Sequence, residues 1–388
     1  MVKLGPDLYT GSDSYSGYQA TGNFTGFTML HESGTGGAPK YGVVNQMPVL
    51  GNISNPLLDL NDTRVGTDVT SVGYYKATLG SGIVVELGAT SRAGLYQYTF
   101  PSSGANIVVD VSHVLPSYRG QGLSQNYLGG NITVASDGHY EGSGIYNNGW
   151  NRAAPWEIFF CGYFDQEASN IMTFVGTSEN GHQLENYSTA RLANSTNRLG
   201  AVFTFNSTSL VSRVGVSFIS AAQACSNVNS QISSTITLSD LTSATKELWN
   251  SQVLSKVTTT ETNVTNLQLL YSSLYFMHLL PTNKTGENPS WTSSEPYYDD
   301  IFTLWDLFRC TTSLLHILQP VTYEEYIRSL IDVWRNEGYM PDARSSNFNG
   351  AMQGGSNADN VLADAYVKGV RGAIDVSTLS ILQILAGS

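Results

Sequence analysis

Residues 214–250 read VGVSFISAAQACSNVNSQISSTITLSDLTSATKELWN, and within this stretch the periodicity of the chain changes. Val214, Val216 and Phe218 alternate with small or polar neighbours, the period of two expected of a half-buried strand. From Ser239, read as a helix cap, the apolar residues Leu241, Ala244, Leu248 and Trp249 recur at helical steps. The intervening QACSNVNSQISS is polar and reads as a connector, which places a domain boundary within about five residues of Thr235.

The pattern holds on both sides of that boundary. Toward the N-terminus, YGVVNQMPVL, GIVVELGAT, LYQYTF, NIVVDV, WEIFFCGYF, IMTFVG and AVFTF are short runs punctuated by Gly, Asn and Ser, without a helical period between them. Strands at such spacing predict an antiparallel β-sandwich over residues 1–235. Toward the C-terminus, Leu267, Leu270, Tyr271, Leu274 and Met277 form one helical stripe that Pro281 stops. Thr322 with Glu325 reads as a capping box ahead of Ile327, Leu330, Ile331 and Trp334, and Gly338 ends that helix. Ser356 with Asp359 repeats the device before VLADAYVKG. The expected fold class is therefore β + α in two domains: the sandwich over 1–235, a linker helix over 236–260 and a helical domain over 261–388.

Charged residues make up only 13% of the chain, about half the usual share, and the net charge is −12. That charge, without a Lys/Arg cluster to override it, excludes nucleic acid and anionic membrane as partners. There is no apolar run of about eighteen residues, so membrane insertion is not expected. The opening segment MVKLGPD has no signal-peptide core. Against that stand nine Asn-x-Ser/Thr sequons, at Asn23, Asn52, Asn61, Asn131, Asn186, Asn194, Asn206, Asn263 and Asn283, which point to the secretory route. The cysteines Cys161, Cys225 and Cys310 have no metal-binding spacing; one disulfide, Cys161 with Cys225, or three free thiols are both open.

Two segments hold candidate site residues. In YYDDIFTLWDLFR (297–309) three carboxylates and an arginine sit among aromatics. Asp300 reads as the cap of a helix that is apolar nearly all round and hence buried, with Asp299 as a second capping candidate. Asp306 and Arg309, three apart, share one side of it. Either they form an ion pair over a core helix, or, with Trp305 beside them, they project into a polar cavity and hold a hydroxylated ligand. The second segment, Gly26 to Gly42 (GFTMLHESGTGGAPKYG), carries His31 and Glu32; Thr35 breaks a zinc HExxH pattern, and no phosphate-loop spacing is present. A glycine-rich loop that lets backbone approach a ligand and a plain structural loop both remain open. No GxSxG and no metal-binding interval among the histidines occurs.

The blocks MVKLGPD, SGY, GFTMLHESGTGG with YGVVNQMP, ATSRAGLYQYTFP, YSSLYFMHLLPTN, YYDDIFTLWDLFR, GYMPDAR and ADAYVKG occur in this order. Their succession resembles glycoside hydrolase family 92, the calcium-dependent exo-α-mannosidases, and most closely its fungal members. The resemblance implies an N-terminal sandwich followed by part of an (α/α)6 helical barrel. It further implies hydrolysis of α-mannosides, often α-1,2 linked, on high-mannose N-glycans or mannan, with inversion by an acid and a base and with Ca2+ as cofactor. Asp306 matches the family's sugar-holding aspartate, with Arg309 as its neighbour. The family's first sandwich strands precede MVKLGPD, and its catalytic acid, base and metal-binding blocks follow ADAYVKG. The 388 residues are therefore expected to lack catalytic residues and calcium ligands, to be inactive, and to expose Val361, Leu362, Ala365 and Tyr366. Two other readings remain open: a non-catalytic carbohydrate-binding product, and an N-glycan amidase, which would need a Cys-His-Asp set.

Overall fold

The computed structural model describes residues 1–9, 12, 15–33, 38–58, 60–177, 182–350 and 355–370. The chain divides into two compact units, Met1–Trp150 with Ala154–Lys246, and Asn151–Ala153 with Glu247–Ser388. The fold class read from the sequence is the one found: paired antiparallel sheets first, helices after.

The first unit holds two sheets. One has seven strands in the order Gly5–Tyr9, Asn23–Ser33, Pro39–Leu50, Ala105–Asp110, Arg198–Phe205, Asn170–Thr177 and Gln183–Ser188. The other has nine, with Gln125–Val134, Tyr140–Asn148, Ala153–Phe164, Ser209–Ser217 and Ala93–Thr99 adjacent at its centre. Strand alternation sends Tyr140, Phe160, Phe203 and Phe205 into a shared aromatic core, where tilted rings stack at 5–6 Å as their quadrupoles favour. Gln46 is one polar residue that joins the sheets: its amide donates to Tyr140 (2.6 Å) and Ser212 (2.8 Å) and accepts from Tyr98 (2.8 Å). A buried amide so fully satisfied fixes the register of facing strands at little cost.

The stretch read as a polar connector is in part a helix, Ala221–Gln231. Ser220 caps it, accepting from Gln223 N, and it buries only Ala224, Asn227 and Val228. A Cβ on Gly215 would lie 2.2 Å from the Ala224 carbonyl, so the strand beneath needs glycine to let the helix approach. Cys161 and Cys225 close a disulfide between the strand Ala153–Phe164 and this helix, and Cys310 is free and exposed. The next helix, Leu238–Gln252, starts one residue before Ser239; its capping box is Thr237 with Asp240. Leu238 and Leu241 pack against Ala93 and Leu95 of the sandwich.

In the second unit, Val264–Met277 is capped by Asn263, and Pro320–Glu337 ends at left-handed Gly338 as expected. The Thr322–Glu325 capping box does not form: the helix already starts at Pro320, and Glu325 accepts from the Tyr298 hydroxyl at 2.8 Å instead. The Ser356 hydroxyl does donate to Asp359, at 2.5 Å, at the head of Ala358–Val367. On that helix Val361, Leu362 and Ala365 are buried against Tyr326, Ile327 and Leu330, against the expectation that they are exposed; Tyr366 alone of the four is exposed.

Candidate functional site

Residues 297–309 split into two chemically different parts. Tyr297, Tyr298, Asp299, Asp300, Ile301, Thr303 and Leu304 are buried, whereas Trp305, Asp306 and Arg309 are exposed. Asp299 and Asp300 cap no helix, which corrects the sequence reading. The helix here is only Leu304–Leu307, preceded by Thr303, and the next one is Thr311–Leu318. Both carboxylates instead face buried Lys284, whose ammonium lies 2.7 Å from Asp299 Oδ2 and 3.1 Å from Asp300 Oδ1. Arg344 lies 3.6 Å from Asp299 Oδ1 and reaches Glu337 (2.8 Å) and the Tyr297 hydroxyl (3.0 Å). Ser345 Oγ and Asn347 N add donors to Asp300 and Asp299. Burial pushes the Tyr297 phenol well above its ordinary range, so that its hydroxyl stays neutral beside this cluster. Lys284 and Arg344 partner Asp299, Asp300 and the partly exposed Glu337, which is why charge is tolerated among these aromatics.

Backbone pairing carries the chain out of that cluster. Ile301 exchanges two hydrogen bonds with Arg344, at 2.6 and 3.0 Å, and Leu304 N donates to the Asp342 carbonyl at 2.7 Å. Asp342 Oδ1 then accepts from Trp305 N (3.1 Å) and from Asn357 Nδ2 (2.6 Å). Trp305, 47% exposed, and Asp306 are thereby set on the surface. The Asp306 carboxylate accepts from Thr303 Oγ1 at 3.0 Å, and the Arg309 guanidinium lies 5.7 Å from the Trp305 ring centroid. Among the described residues Asp306 and Arg309 form no ion pair. Burial, reinforced by the charge of Asp306, raises the pKa of Asp342. Asp342 was quoted in GYMPDAR but not singled out; only its contact with Trp305, 37 residues away in the chain, reveals its place.

His31 and Glu32 belong to the first unit, on the strand Asn23–Ser33; the loop tip 34–37 lies outside the described residues. His31 Nδ1 meets the Lys3 carbonyl (2.6 Å) and Nε2 meets Asp7 Oδ1 (2.5 Å), while His113 Nε2 meets Asp7 Oδ2 (2.7 Å). Burial alone would push the Asp7 carboxyl up, but the charge of His31 and hydrogen bonds from both imidazoles outweigh it and bring Asp7 to about 2. Glu32 is buried opposite Lys40 in the hairpin register. The sequence-derived site residues thus fall in two groups: Trp305, Asp306 and Arg309 share one exposed surface, and His31 and Glu32 lie within the sandwich.

Residues 1–217 match the glycosyl hydrolase family 92 N-terminal domain, and residues 223–384 match the family 92 catalytic domain. The chain belongs to glycosyl hydrolase family 92. It is 28% identical over 401 residues to a protein of Arthroderma benhamiae described as an uncharacterized secreted glycosidase, covering 97% of this chain and 47% of that protein. Among solved structures it resembles a family 92 α-mannosidase from Bacteroides thetaiotaomicron, with a TM-score of 0.81, 21% identity and coverage of 96% of this chain and 51% of the other. It also resembles the family 92 inverting mannosidase from B. thetaiotaomicron VPI-5482, with a TM-score of 0.80, 22% identity, all of this chain and 50% of the other. The chain spans about half the length of the relatives it matches.

The described residues do not fit a calcium ion. Ca2+ takes six to eight oxygens, yet the buried carboxylates Asp299 and Asp300 are already neutralised by Lys284 and Arg344. The one group of clustered metal-ligating side chains among the described residues, His139, Glu141, Cys161 and Cys225, includes both disulfide sulfurs.

Proposed function

We propose that this chain is the sandwich and the first part of the catalytic domain of a secreted exo-α-mannosidase, acting on α-mannosides or high-mannose glycans. The observation that carries the reading is the abrupt exposure of Trp305, Asp306 and Arg309 at the end of an otherwise buried segment. Asp306 accepts hydrogen bonds from hydroxyls of the terminal mannose, because a carboxylate has only acceptors and a sugar rim offers donors. Trp305 gives an apolar platform for a pyranose face, and the nearby Arg309 supplies donors to ring or hydroxyl oxygens. His31, with both ring nitrogens already engaged, and buried Glu32 support the hairpin rather than reach the sugar. In the family reaction an acid and a base act on opposite sides of the glycosidic bond with a water between them.

A secretory route is supported by the sequons, of which Asn52, Asn61, Asn186, Asn194, Asn206, Asn263 and Asn283 are exposed, and by the disulfide. The described helices include none long and apolar enough to cross a membrane. An amidase mechanism loses two of its three candidate thiols to that disulfide. The test is calorimetric titration with mannoimidazole, which a solved B. thetaiotaomicron family 92 structure carries. Binding that falls at least tenfold in Asp306→Ala supports the proposal. Binding that Asp306→Ala leaves unchanged, or no binding by the wild type, overturns it.

A further inference from the structure

The outer face of the seven-stranded sheet has features that core packing does not explain. Gln46 points to the facing sheet, so its neighbours Asn45 and Met47 point the other way. They pair in register with Asp110 and Val108 on the adjacent strand. Over this face lies a cavity of about 350 Å3, lined also by Leu57, Leu58, Leu60, His113 and Arg198. That volume falls in the range of small-molecule sites.

Asn45 is only 3% exposed, yet its amide is half used: Oδ1 accepts from Phe27 N at 3.0 Å, while Nδ2 has no protein acceptor among the described residues. The sequence makes room for this side chain, since a Cβ on Gly26 would come within 2.1 Å of Asn45 Oδ1. A buried amide with open donors on a cavity wall is a site prepared for an acceptor. The polar groups around it are already partnered: Arg198 pairs with Asp110 at 2.6 Å, and His113 meets Asp7 at 2.7 Å. Both carboxylates near the cavity thus have partners, which favours a neutral, hydroxyl-bearing ligand over a bare cation. The lining therefore offers donors (Asn45, Arg198) and an acceptor (Asp110) together with the apolar side chains of Leu57, Leu58 and Leu60. Hydroxyl groups both donate and accept, and a pyranose ring presents hydroxyls on its rim and C–H bonds on its faces. Tyr9, 53% exposed on the lining, offers a ring to such a face.

We infer that this cavity is a carbohydrate-binding site for one neutral hexopyranose unit, held by Asn45 and Asp110 against the leucine side chains. The sugar has two sources. It is a unit of an external glycan, or it belongs to a glycan on Asn61, an exposed sequon residue that itself lines the cavity.

The test uses the whole chain secreted from a glycosylating host, with Asp306→Ala throughout, so that failure of the reading around Asp306 leaves it untouched. Methyl α-mannoside and N-acetylglucosamine are the probes, read by saturation-transfer NMR and titration. Binding by both the Asn61-glycosylated protein and Asn61→Gln identifies an external glycan. Binding by Asn61→Gln alone identifies the chain's own glycan as the occupant. In either case Asn45→Leu weakens binding at least tenfold. Leu58→Arg, at a position 50% exposed and so tolerant of change, blocks the cavity and keeps the test sound if Asn45→Leu fails to fold. No binding by Asn61→Gln, or binding unaffected by Leu58→Arg, overturns the inference.

Discussion

Two buried carboxylate clusters, one around Asp7 in the sandwich and one around Asp299 and Asp300 in the helical unit, are satisfied by different partners. In the sandwich a single carboxylate, Asp7, is held by two imidazoles and the Thr28 hydroxyl. In the helical unit two adjacent carboxylates are held by a lysine and an arginine, and six residues later a third stands in solvent. The first arrangement uses imidazoles and a hydroxyl as partners; the second uses an ammonium and a guanidinium. One unit places a histidine-held carboxylate in its core, and the other places an ion-paired cluster beside the exposed residues Trp305, Asp306 and Arg309.

That contrast breaks most visibly at Lys284. Lys284→Met leaves Asp299 and Asp300 facing each other without their shared cation, and should cost about 3–5 kcal/mol, read as a lower denaturant midpoint. A loss below about 1 kcal/mol would show that Arg344 alone suffices. In the sandwich, Cys161→Ser with Cys225→Ser opens a loop of 64 residues and should cost about 3–4 kcal/mol, with the transition of the helical unit unchanged.

Acid sharpens the comparison further. The folded value of Asp7, about 2, lies below its ordinary 3.8, so its contribution is present in full above about pH 4 and is lost as pH falls through about 2. The shift corresponds to about 2 kcal/mol. Asp7→Asn should therefore flatten the acid limb of the stability curve between pH 4 and 2; an unchanged limb would remove Asp7 from the account. The smallest effect is expected at Asp306, exposed and bonded to one hydroxyl. Asp306→Ala should change stability by less than about 0.5 kcal/mol, and a larger loss would make Asp306 a structural cap.

The strands were legible because alternation is a local property, and so was the end of Pro320–Glu337, where Gly338 sits at φ 85°. The helix Ala221–Gln231 was not, because only Ala224 and Val228 mark its stripe and a glycine on the partner strand does the rest. Asp299 and Asp300 were misread for a related reason. An acidic residue ahead of an apolar run looks like a cap, whereas their true partners lie 15 and 45 residues away, at Lys284 and Arg344. Asp342 was invisible for the same cause. The site residues are types the sequence shows openly; what it hides is which of them share a contact.

The hydrogen bond from Trp305 N to Asp342 has a consequence for how such a surface diversifies. The direction in which Trp305 and Asp306 are presented is set by a turn that begins at Gly338 and belongs to a different part of the chain. Length or sequence changes in that turn can re-aim both side chains without altering a single residue of YYDDIFTLWDLFR. Aim and chemistry are thus set by separate parts of the chain, so the segment can keep its residues while the direction of its exposed end changes.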